Sequence, residues 1–188
     1  MTQHAPLFIV LLPVSAALLC MLFSRIQKNL GSWIVIASIA GAFLSAVSSL
    51  QQVIADGGKA LHYWMGNWQP PLGIEFVIDP ISGALAVLIT FIALLGSLYS
   101  LPFVKEEGWL HIGGYYTLYG LMTVGMCGMV ITGDVFNLYV FLEVMSLSGY
   151  GLIAIGGKKS MLAAFRYLLI GTIGASLYLL GVGYMYAL

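Results

Sequence analysis

Thr132-Gly133-Asp134 leads into the apolar run Val135–Ile155, VFNLYVFLEVMSLSGYGLIAI, whose interior holds a single carboxylate, Glu143. The run matches the roughly 20 residues needed to cross the hydrocarbon core of a bilayer. A backbone in lipid must satisfy its own polar groups, and a helix does so within one segment. Asp134 is a helix N-cap residue type directly ahead of the run. The stretch reads as a membrane-spanning helix with one acid near its middle.

Five further runs share this character: Pro6–Ser24, Ser32–Ala55, Pro80–Val104, Ile112–Thr132 and Met161–Tyr186. An outer-membrane barrel would show shorter, alternating segments, so the expected fold is all-α, with six transmembrane helices. The whole chain agrees. Of its 188 residues 61% are hydrophobic and 7% charged, at a mean hydropathy of +1.00. A soluble domain carries about 25% charged residues. This excludes a secreted disulfide scaffold, a nucleic-acid binder and an ordinary cytosolic enzyme. Met1–Pro6 has no Lys or Arg, and the first cations, Arg25 and Lys28, follow the first run. That is the reverse of a signal peptide, so the segment is expected to stay in the protein.

With no repeat, linker or low-complexity tract, residues 1–188 read as one transmembrane domain. Pro80 suits a helix start, and Gly31, Gly57-Gly58, Gly108 and Gly156-Gly157 mark breaks. Between the second and third spans, Ile74, Phe76 and Ile78 alternate with Glu75, Val77 and Asp79 after the turn-like Gln69-Pro70-Pro71. This predicts a short β-hairpin over about 62–79 on the outer face, with a structural role. Tyr63, Trp64 and Trp68 are the residue types of a membrane interface.

Arg25 and Lys28, then Lys105, then Lys158 and Lys159 follow the first, third and fifth spans, whereas the other side holds only Lys59. The excess places the odd-numbered connections in the cytoplasm and both termini outside.

Of the seven basic and seven acidic residues, only Glu143 and Arg166 lie within spans rather than in connections or at helix ends. Glu143 is about 3 Å from the midpoint of its span. A carboxylate there costs on the order of 3 kcal/mol, which makes it a functional candidate. Tyr139, Ser146 and Tyr150 share its face and form a hydroxyl stripe able to hold water and pass protons. Burial would favour the neutral acid and a nearby cation the ionised one, which suits ion translocation. The alternative is a neutral, hydrogen-bonded acid that holds helices together. Arg166 is either a charge partner or an interfacial side chain reaching toward Lys158 and Lys159. Asp134 either caps the Glu143 helix or attracts cations at its outer mouth.

Cys20 and Cys127 lie in apolar runs and read as small buried side chains. His4, His62 and His111 have no spacing that suits haem. With no CxxC, phosphate loop, HExxH or GxSxG, neither a cofactor nor a metal is expected. Gly171 and Ala175, and Gly120, Gly125 and Gly128, predict close helix contacts.

Thr132-Gly133-Asp134-Val135-Phe136-Asn137-Leu138-Tyr139-Val140-Phe141-Leu142-Glu143 with Ser148-Gly149-Tyr150-Gly151-Leu152-Ile153 resembles the fourth-to-fifth helix region of antiporter-like subunits. These are the large subunits of Mrp-type sodium/proton antiporters, membrane-bound hydrogenases and respiratory complex I. Ala163-Ala164-Phe165-Arg166-Tyr167-Leu168 and Gly174-Ala175-Ser176-Leu177-Tyr178-Leu179-Leu180-Gly181 are similar to the family's sixth helix. Val77-Ile78-Asp79-Pro80-Ile81-Ser82-Gly83 resembles its third-helix entry.

The resemblance implies that Glu143 is the buried fifth-helix glutamate, which in the family pairs with a lysine on a broken seventh helix to drive proton transfer. The family usually has lysine where Arg166 stands, and arginine does not readily release a proton. Family members continue well beyond six helices, whereas this chain ends at Leu188. The expectation is a split or shortened subunit of a prokaryotic cytoplasmic-membrane complex that moves protons or exchanges sodium for protons. Another membrane subunit would supply the missing lysine, and the complex could be an ion-pumping oxidoreductase of NADH:quinone or hydrogenase type. The alternative is a non-conducting subunit that completes and seals a membrane arm.

Overall fold

A computed structural model describes residues 4–27, 29–68, 73–104 and 109–187. The turn-like Gln69-Pro70-Pro71, together with Lys28, Lys105 and Gly108, lies outside them. Six helices follow from the six apolar runs: α1 (Ala5–Ile26), α2 (Leu30–Ala55), α3 (Pro80–Val104), α4 (Trp109–Ile131), α5 (Val135–Ile155) and α6 (Lys158–Ala187). All six are long and apolar enough to cross a membrane. Between α2 and α3, β1 (Leu61–Trp64) pairs antiparallel with β2 (Glu75–Ile78), with Leu61 opposite Ile78 and Trp64 opposite Glu75.

The α3 start shows how local chemistry sets a boundary. Asp79 Oδ1 accepts from the Ser82 N–H at 2.6 Å, and the Asp79 N–H donates to Ser82 Oγ at 2.8 Å. This reciprocal pair satisfies orphan donors of the first turn, and Pro80 has no N–H to leave unpaired there. The hydrogen bonds to Ser82 hold the Asp79 carboxyl below the usual carboxylate range.

Helix α4 lies at the centre and packs against α1, α2, α3 and α5, whereas α6 packs on α5. Glycines on α4 permit the closest approach. A Cβ at Gly125 would lie 2.6 Å from the Met145 backbone nitrogen, and one at Gly128 would overlap the Phe141 ring. Small residues are the means by which membrane helices bring backbones together when no hydrophobic effect separates helix from lipid. Gly171 and Ala175 serve α6 in the same way: a Cβ at Gly171 would overlap the Tyr150 hydroxyl, and Ala175 is buried.

Near the hairpin, Ile9, Val53, Phe76, Ile78, Val124, Cys127, Ile131 and Phe141 form one core; Cys20, Val35, Ile39, Ile112 and Tyr116 belong to a second. Hydroxyls inside the helices bond back to carbonyls three or four residues earlier, as Ser49 does to Ser45 and Thr90 to Ala86. Among the described residues no buried side-chain nitrogen or oxygen lacks a partner.

His4 Nδ1 lies 3.0 Å from the Tyr63 hydroxyl on β1, and the Tyr186 hydroxyl reaches the Asp134 carboxylate at 2.9 Å. Both ends of the described chain therefore sit at the hairpin end of the helices. Trp64 and Trp68 stand exposed there, while Tyr63 is half-buried.

Candidate functional site: the α5–α6 seam

Helix α5 begins at a cap. Asp134 Oδ1 accepts from the Phe136 N–H at 3.0 Å and Oδ2 from the Asn137 N–H at 3.3 Å. A cap of this kind is worth about 1 kcal/mol. Asn137 is buried and donates from Nδ2 to Thr132 Oγ1 at 3.0 Å, which ties the first turn of α5 to the end of α4. The Thr132-Gly133 segment also joins the hairpin. The Gly133 N–H donates to the Glu75 carbonyl at 2.9 Å, and Thr132 bridges Phe76.

Tyrosines set the register of α6 on α5. Tyr139 stacks on Tyr178 with centroids 6.2 Å apart and ring planes 8° from parallel. Tyr150 meets Tyr167 edge-on at 4.8 Å. Both pairs are centred between Lys158 and Lys159, as an antiparallel helical hairpin requires. The Tyr178 hydroxyl also donates to the Val135 carbonyl at 3.1 Å. By this register Glu143 is level with Gly174, where a Cβ would meet no atom within 4 Å. Its Tyr139 neighbour, one turn earlier, interacts with it through the side chain.

The position of Glu143 corrects one expectation. It is half-buried, and no acidic residue among those described is buried. Depth along a helix can be counted from the sequence, but sideways cover depends on which helices flank it. Here α5 is flanked mainly by α4 and α6, which leave Glu143 partly uncovered. The hydroxyl stripe also differs from a continuous wet file. Tyr150 is buried against α6, Ser146 is half-buried, and Tyr139 is engaged by Tyr178.

Arg166 is exposed. By the α5–α6 register it is level with Gly151, about 12 Å along the axis from Glu143. The single ion pair among the described residues joins His62 and Glu75 at 2.8 Å, so Arg166 and Glu143 are not paired. No group of three metal-capable side chains occurs among those residues.

Sequence reasoning missed Tyr178 and Tyr186, the α6 side chains that hold the α5 start. For Tyr178 the signal was the common centre, between Lys158 and Lys159, of the pairs Tyr139–Tyr178 and Tyr150–Tyr167.

Over 188 residues the chain is 42% identical to the NADH-quinone oxidoreductase subunit N of Desulforudis audaxviator, covering 100% of this chain and 37% of that protein. It is 30% identical over 179 residues to a Na(+)/H(+) antiporter subunit of Bacillus subtilis, covering 95% of this chain and 35% of that one. Its homologues are members of the antiporter-like subunit family. It corresponds to the N-terminal portion of that family's members and spans little more than a third of the length of the two relatives. An archaeal respiratory membrane complex, the membrane-bound sulfane sulfur reductase, contains a chain with the same fold. The TM-score is 0.89 at 30% identity, over 98% of this chain and 37% of that chain. No family model matches the chain. Six helices long enough to span a bilayer, together with homologues in membrane complexes, make this a multi-pass membrane protein.

Proposed function

We propose that this chain is part of an ion-translocating module in a multisubunit membrane complex, moving protons or exchanging sodium for protons. Glu143 is its proton-carrying acid. The observation that carries this reading is the placement of Glu143: a carboxylate near the middle of a membrane helix, half-open on the α5–α6 seam, with Tyr139 beside it. Asp134 holds the start of that helix, Ser146 and Tyr150 continue its face, and Arg166 supplies positive charge about 12 Å away along the axis. The open side of Glu143 is completed by a lysine on a segment outside these 188 residues.

Residues 1–188 act in this reading as one transmembrane domain of a prokaryotic cytoplasmic-membrane protein. Connections after α1, α3 and α5 face the cytoplasm, while the hairpin and both termini face outward, following the Lys and Arg bias. Relatives named as subunits of a sodium/proton antiporter and of a quinone oxidoreductase support an assembly with further membrane subunits.

The test is ion flux by the purified complex in proteoliposomes. An imposed sodium or redox gradient should change lumenal pH, and a protonophore should collapse the change. Lumenal pH that follows the leak of empty vesicles would overturn the proposal.

A further inference from the structure

The mechanism leaves one charged cluster unused: His62, Trp64 and Glu75 on the hairpin. Glu75 Oε1 lies 2.8 Å from His62 Nδ1 and accepts from Trp64 Nε1 at 2.9 Å. The backbone carbonyl of the same residue accepts the Gly133 N–H. Glu75 thus grips β1 with its side chain and the α4–α5 connection with its main chain. The contact on that connection is close. A Cβ at Gly133 would lie 2.7 Å from Val77 Cγ2 and 3.5 Å from Glu75 Oε2. The next residue, Asp134, caps α5 and holds Tyr186 of α6. A single chain of contacts therefore runs from the His62–Glu75 pair to the first turn of the helix that carries Glu143.

We propose that Glu75 is a positioning residue for α5, and that the protonation of His62 sets how firmly it holds the Gly133–Asp134 turn. This rests on the reading of Glu143 as the proton carrier and adds control of its helix from outside the bilayer. Imidazole is the side chain whose charge ordinarily changes between about pH 5 and 8. A charged imidazole strengthens the bond to the carboxylate, and a neutral one leaves an ordinary hydrogen bond. Desolvation pushes the Glu75 carboxyl up, but the His62 and Trp64 hydrogen bonds and the His62 charge outweigh it and hold it below the usual range. Glu75 stays ionised, so the grip is firmer with a charged imidazole beside it than with a neutral one.

Other titratable groups around the hairpin are engaged or set apart. His4, at the start of α1, meets Tyr63; Asp79 bonds Ser82; Asp134 caps α5; Asp56 and Lys59, between α2 and β1, are exposed. Among the described charged groups His62 is the one that acts electrostatically on Glu75.

The test is hydrogen exchange and ion flux on the assembled complex at about pH 6 and pH 8. In the unmodified complex, exchange protection of Gly133, Phe136 and Asn137 should be about two- to fivefold higher at the lower pH, the range set by a partly exposed ion pair. His62→Gln keeps a donor to Glu75 and removes the titration. It should abolish the difference in protection and change the ratio of flux at the two pH values by a similar factor. Protection that ignores pH, or a variant whose flux falls equally at both pH values, would overturn the proposal. So would protection that responds while the flux ratio stays put. The exchange arm does not depend on Glu143; failure of the carrier reading shows separately, as unchanged flux in Glu143→Gln.

Discussion

Ion flux through the assembled complex should fall to vesicle leak in Glu143→Gln, a loss of about two orders of magnitude or more, as removal of a proton-transferring group implies. Glutamine matches glutamate in size and hydrogen-bonding reach but carries no exchangeable acid proton. Assembly should survive, because an ionised carboxylate at midspan costs on the order of 3 kcal/mol and the amide removes that cost. The half-exposed setting of Glu143 on the seam supports the same expectation, since no tightly packed core is disturbed. Flux and subunit stoichiometry, measured on one preparation, check both halves. A complex that loses subunits while the surviving particles transport normally would favour the sealing role instead.

Phe76→Ala should be the most destabilising change outside the spans, at about 3–5 kcal/mol for loss of a fully buried aromatic side chain. Phe76 is 0% exposed, its ring lies 6.2 Å from that of Phe141, and its backbone bridges Thr132. The side chain plugs the hairpin into the end of α4 and the side of α5, together with Ile78 and Ile131. Truncation leaves a cavity where three elements meet, while Ile78, Leu61, Tyr63 and Met65 still anchor the hairpin. Denaturant unfolding in detergent should show this loss, with Phe76→Leu recovering most of it. A loss below about 1 kcal/mol would mean that the hairpin is held mainly by its backbone bonds.

Much of the helical layout was legible because lipid imposes a length. Six apolar runs became six helices, and the alternation around Phe76 became β2. The end of the sixth run was less clear. Lys158 and Lys159 stop the apolar count at Met161, yet the helix begins at Lys158, because a helix can extend past hydrocarbon into water. The midspan depth of Glu143 was also countable. Its lateral exposure was not, since it depends on which elements pack along α5, here mainly α4 and α6. Nor did any local pattern announce the Gly133–Glu75 bond or the Tyr186–Asp134 bond, which join residues far apart in the chain. The tyrosine pairs that align α6 were visible only once an antiparallel turn at Gly156-Gly157 was assumed.

The most direct test of Glu143 as proton carrier is difference infrared spectroscopy of the reconstituted complex during turnover. The account predicts a protonated-carboxyl band that rises and falls with transport in the unmodified protein and is missing in Glu143→Gln. A band that persists unchanged in Glu143→Gln would contradict it.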